Sequence, residues 1–174
     1  MFVHYFCTEQ LSTMENITSN TELIKSLKGL LFKGHAHVSL EDALANIPED
    51  ALGKVPKNLP YRIWQLTEHI RITQWDMLGF SKSPKHKSPK WPEEYWPKEK
   101  APANKEAWEN CIKQIKKDRK SFLALLEKEN ADLFTPFAHG TGQTLLQEAL
   151  QIADHTSYHT GEIIAVRRLL GEWK

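Results

Sequence analysis

Apolar positions recur every three or four residues through most of this chain, and no run alternates with a period of two. Leu23, Leu27, Leu30 and Leu31 form a first stripe through LIKSLKGLLFK. It is bracketed by a Ser19-x-x-Glu22 capping box and by Gly34, which suits a left-handed helix stop. Ser39-x-x-Asp42 opens a short segment, SLEDALANI, which Pro48 closes. Pro60 fits the first position of a longer helix reaching Gly79, with Ile63, Leu66, Ile70, Thr73 and Met77 on its buried face. Asn104 is placed to cap a helix that extends to Asn130 and turns Trp108, Ile112, Ile115, Phe122 and Leu126 inward. Thr144-x-x-Gln147 starts the last helix, which reaches Gly171 with the stripe Leu145, Ala149, Ile152, His159, Ile163, Val166 and Leu170.

The segment 81–102 holds Pro84, Pro89, Pro92, Pro97 and Pro102 and cannot continue as helix. Four long helices and one short one predict an all-α bundle. The long loop between the second and third long helices predicts a crossover there, not a tight hairpin. A chain of 174 residues has room for one well-buried domain, expected over 19–174, with residues 1–18 a poorly ordered N-terminal extension and Met14 an alternative start.

Charge and composition narrow the function classes. A net charge of +1, from 23 basic and 22 acidic residues, makes no electrostatic case for nucleic acid or an anionic membrane. No stretch has the length of a membrane span, and the opening MFVHYFC lacks the basic flank and long apolar core of a signal peptide. The two cysteines, Cys7 and Cys111, have no paired spacing, so neither a disulfide framework nor a cysteine metal site is expected, and a reducing cytoplasm is the expected location.

The candidate chemistry lies in histidines. His155 and His159 are four residues apart, which sets two imidazoles on one helical face about 6 Å apart along the axis. His69, on the edge of the stripe in another helix, is the candidate third member. Three imidazoles leave a divalent ion its full double charge and an open position, the layout of a catalytic site. Half-buried helical histidines are also satisfied by a carbonyl or a carboxylate, and spacing alone does not choose between the two. Glu-x-x-His, His-Glu-x-x-His, phosphate-binding glycine loops and nucleophile elbows are all absent.

Other residues have paired readings. Asp76, seven residues after His69 on the same face, is a candidate general base or a solvated carboxylate near a helix end. Gln151 is a candidate partner for the His155 ring or a surface amide. His35 and His37 either line the site or are solvated in a turn; His4, His86 and His139 read as surface residues. Trp91, Tyr95 and Trp96 either supply apolar walls to a ligand or anchor the proline-rich loop, so with His37 they form the candidate ligand-binding set. Tyr158 reads as packing, and Arg167 and Arg168 as cations complementing a helix C-terminus.

Three segments taken together, WQLTEHIRITQWDMLGF, WPEEYWP and DHTSYHTGEIIAVRRLLGEW, resemble the DinB/YfiT-like superfamily, over most of the chain from Ser19 to Trp173. The resemblance implies a four-helix bundle in up-down-down-up order. It also implies a metal held by three histidines, which fall here on His69, His155 and His159. Zinc or nickel is the first expectation for the ion and iron or manganese the second, although imidazole itself does not choose among them. Relatives include transferases and isomerases that use bacillithiol, mycothiol or glutathione, and many form dimers. The resemblance therefore implies a metal-dependent enzyme acting on a small molecule, either a hydrolase or a thiol-dependent S-transferase, with a low-molecular-weight thiol as a candidate cosubstrate and a homodimer as a candidate assembly. The alternative is a non-catalytic dimeric binding or stress-response module stapled by the metal.

Overall fold

Each long apolar stripe becomes a helix. The computed structural model describes residues 20–33 and 36–173. Helix α1 covers residues 20–33, α2 Leu40–Leu44, α3 Ile63–Lys82, α4 Lys105–Leu126 and α5 Leu145–Leu169, with a 3₁₀ turn at Glu49–Ala51 between α2 and α3. Among the described residues there is no strand. The expected extension 1–18, the cap Ser19, the stop Gly34 and His35 lie outside the described residues.

Capping chemistry sets three of the starts. The Ser39 hydroxyl accepts from the Asp42 amide at 3.1 Å while the Asp42 carboxylate accepts from the Ser39 amide, closing the capping box. Asn104 accepts from the Ala107 amide at 2.8 Å, and Thr144 from the Gln147 amide at 3.1 Å. Helix α3 departs from expectation, beginning at Ile63 instead of Pro60. Its N-cap, Arg62, makes no side-chain cap. The Trp64 amide instead donates to the Leu52 carbonyl at 3.0 Å, so the 3₁₀ turn caps α3 from outside. At its other end α3 runs through Gly79 to Lys82. Gly79 is a packing site there: a Cβ would lie 2.3 Å from the His86 ring. Helix α4 stops at Leu126, short of Asn130, which adopts a left-handed φ of 58°.

The interior divides into two apolar clusters. One joins α2 and the first halves of α3 and α4 to the last turns of α5, through Leu40, Ile63, Leu66, Ile70, Trp108, Ile115, Ile163 and Val166. The other joins α1, the end of α3 and of α4, and the start of α5, through Leu27, Leu31, Leu78, Phe122, Leu126, Leu145, Ala149 and Ile152. Along every long helix of α3–α5 the residues between these clusters are polar and inward: Thr73 and Gln74 on α3, Asp118 and Arg119 on α4, His155 and His159 on α5. Burying polar groups in mid-bundle costs free energy unless each is partnered. That layer is where the candidate site lies.

Among the described residues, no helix is long and apolar enough to cross a membrane.

Candidate metal centre

His69 on α3 and His155 and His159 on α5 come together in the polar layer. One nitrogen from each lies within 4.8 Å of the other two. His69 and His159 are buried and His155 is half-buried. The Nε2 atoms of His69 and His155 are 3.0 Å apart.

The partners of the other ring nitrogens assign the tautomers. His69 Nδ1 donates to the Tyr95 carbonyl at 2.8 Å. His159 Nδ1 donates to the Glu162 carboxylate at 2.6 Å, since an ionised carboxylate only accepts. Thr73 has one hydroxyl hydrogen and directs it at the His69 carbonyl at 2.8 Å, so its oxygen accepts from His155 Nδ1 at 3.3 Å. Every Nδ1 is therefore a donor, and in the neutral rings every Nε2 carries a lone pair. Lone pairs brought this close repel unless a cation or a proton stands between them. Burial works against the proton: it lowers the pKa of His69 to about 4, with the His159 ring adding to the depression and the Tyr95 hydrogen bond opposing it. Burial, with His159 and His69 next in order, lowers that of His155 to about 3. A donor set of three neutral imidazoles, each oriented by a second hydrogen bond, is compatible with a divalent metal.

The proline-rich loop closes one side of the site. Trp96 lies flat on His69, with ring centroids 3.9 Å apart and planes 6° apart, and Tyr61 stacks behind Trp96. Gln65 donates to the Pro97 carbonyl at 3.2 Å. Tyr95, which supplies the carbonyl for His69, donates its own hydroxyl to Asp76 at 2.6 Å, and the second Asp76 oxygen is 2.7 Å from His86 Nε2. Burial first, then the Asp76 hydrogen bond and charge, push the Tyr95 phenol well above its ordinary pKa, so it stays a donor.

The site opens into a cleft of about 360 Å³ whose lining includes His155, Thr73, Asp76, Tyr95, Trp91 and Glu148. Of the sequence candidates, Asp76, Trp91 and Tyr95 share this cleft, although Trp91 is 70 % exposed and touches only its outer part. Trp96 belongs to the histidine cluster itself. His37 does not: it is exposed, sits 2.9 Å from the Ser157 hydroxyl, and lines a separate cavity of about 330 Å³ against Leu40, Arg119 and Thr160. Gln151 lines the cleft, but the partner of His155 is Thr73. His86, expected at the surface, is half-buried on Asp76; His139 is exposed. Tyr158 is 64 % exposed with its ring edge-on to His159. Arg167 is buried and donates to the Ala43 carbonyl at 2.7 Å, fastening α2 to α5.

Sequence reasoning did not single out Glu162, Thr73 as a ring partner, or Glu148. Glu162 had a signal, standing three residues after His159 on the same helical face. The Tyr95 carbonyl had none, because a backbone acceptor leaves no mark in the sequence. Cys111 is buried, which together with the neighbouring Glu68 raises its thiol pKa far out of the reactive range; it is a core residue.

An all-helical chain with a three-histidine cluster between α3 and α5 defines a class that comparison with known sequences identifies. The sequence model of the DinB superfamily matches residues 35–163, most of the chain and all three histidines, and the chain belongs to that superfamily. No curated protein and no solved structure matches it.

Proposed function

We propose that this protein is a metal-dependent enzyme acting on a small molecule, with His69, His155 and His159 as the ligands of one divalent ion. The observation that carries this reading is the convergence of three imidazole nitrogens, one from each histidine, with the Nδ1 of each ring held by a separate partner. A structural staple would be expected to offer a fourth protein ligand, whereas three leave a position free. When bound, the ion supplies Lewis acidity that lowers the pKa of a water or a thiol at that position. Hydrolysis and thiol-dependent group transfer are the two reactions this chemistry serves. Zinc or nickel is the expected ion.

The residues around the triad have separate tasks in this proposal. Trp96 covers His69 and excludes water from that side. Asp76 holds Tyr95, and through it the carbonyl that orients His69. The helix order we assign is up-down-down-up. It is supported by Trp64 beside Trp108 near the starts of α3 and α4, and by Leu78 clustering with Phe122 and Leu126 near their ends. Neighbouring helices that run the same way need a long crossover, and residues 83–104 supply it.

The test is elemental analysis of untagged protein alongside His159→Ala. The native chain is expected to hold about one equivalent of a single divalent metal, and the variant none, with helicity by circular dichroism retained. A full equivalent in the variant, or only traces in the native chain, overturns the assignment. Titration of the loaded protein with cysteine, glutathione and bacillithiol separates the branches, a response favouring thiol transfer and silence favouring hydrolysis or the non-catalytic module.

A further inference from the structure

The cleft that opens at His155 is lined by a buried residue, Glu148, whose carboxyl group has no hydrogen-bond partner among the described residues. Glu148 lies two turns before His155 on α5, about 10 Å away along the helix axis. It is 4 % exposed, yet among the described residues nothing hydrogen-bonds its side chain; its one electrostatic neighbour is another acid, Asp76. Asp76 lines the same cleft from α3, and neither lysine nor arginine lines it with them. Phe80, Tyr95 and the exposed Trp91 give the cleft aromatic faces, beside Met77 and the uncharged polar side chains of Thr73, Ser88, Gln143 and Gln151.

A largely buried acid without a protein donor is costly to ionise, and a second acid nearby raises the cost. An anionic ligand group would add a third like charge. A cation with an apolar body would relieve the cost, giving the carboxylates a counter-charge and meeting aromatic faces that attract organic cations. Resting on the metal-site reading above, we propose that this part of the cleft is a subsite for an organic ammonium group of the substrate, held by Glu148 and Asp76 while the reacting end of the molecule sits at the three histidines. The substrate class is thus an amine whose cationic centre is about 10 Å from the reacting atoms.

The titratable groups around Glu148 are Asp76 across the cleft, backed by His86, then Tyr95 in the loop and His155 on its own helix. Burial, with Asp76 second, raises the Glu148 pKa to about 7, so near neutrality an arriving ammonium displaces a proton.

The probe is benzyltrimethylammonium, which has no lone pair for a metal and so reads the subsite whether or not the ion is present. Calorimetry at pH 7 in buffers of different ionisation enthalpy should show saturable binding with proton release, and benzenesulfonate, the same ring with opposite charge, should not bind. Glu148→Gln should weaken binding at least about fivefold, and so should Trp91→Ala, an exposed position whose loss does not threaten the fold. Equal binding of benzenesulfonate, or unchanged affinity in Glu148→Gln, overturns the proposal. Ammonium binding by a native chain that holds no metal leaves the subsite standing and removes the metal enzyme. One equivalent of metal with no ammonium binding does the reverse.

Discussion

Nε2 of His69 and Nε2 of His155 lie 3.0 Å apart, although 86 residues separate them in the chain. Two neutral imidazoles donating from their far nitrogens have no hydrogen to share across that gap, so the contact is unfavourable in isolation. It persists because each ring is held from behind: His69 by the Tyr95 carbonyl and the Trp96 face, His155 by Thr73. Such preorganisation lowers what a cation must spend on orienting its ligands.

The hydrogen bond from His159 to Glu162 gives a direct measure of that preorganisation. Glu162→Gln keeps the size of the side chain and removes the charge that favours the Nδ1-protonated tautomer. Metal affinity should fall roughly 10- to 100-fold with little change in melting temperature of the metal-free protein. Competition with a chelator of known affinity measures it; an unchanged dissociation constant would mean that Glu162 does not orient the ring.

Acid should destabilise the metal-free protein early. His69 and His155 fold with pKa values depressed to about 4 and about 3, against an unfolded value of 6.5. Between those limits the unfolded chain binds more protons than the folded one, so stability is fully present above about pH 6.5 and is lost as the pH falls toward 4 and 3. The urea midpoint should drop steadily below pH 6.5, and His155→Asn, which cannot take up the proton, should flatten the decline. A midpoint constant from pH 6.5 to 4.5 would contradict the burial of these rings.

Glu148 titrates in the opposite sense. Its pKa is raised from 4.5 to about 7, so the folded state holds a proton that the unfolded state has released, and stability falls as the pH rises through that window. Glu148→Gln should therefore be more stable than the native chain at pH 8, by up to about 3 kcal/mol, and show little difference at pH 4. Thermal melts at the two pH values decide it, and a variant less stable at pH 8 would indicate a stabilising partner for the carboxylate. A stabilising change at a cleft-lining acid is what a functional residue retained against stability predicts.

Much of this protein was legible in its sequence because the signals were local. Helix period located α1, helix period with side-chain caps located α2, α4 and α5, and the four-residue spacing of His155 and His159 put both rings on one face. Where the controlling group lay elsewhere in the chain, local reading failed. The start of α3 is set by the Leu52 carbonyl, so Pro60 falls outside the helix, and Gly79 reads as a stop until His86 is seen packed against it. Only the tertiary structure brought His69 to the other two rings, gave His155 a hydroxyl partner and His69 a carbonyl, and set Glu148 beside Asp76 without a counter-charge. Helix formation depends on neighbours a turn away, whereas tautomer, burial and charge at the site depend on groups that meet only when the bundle closes.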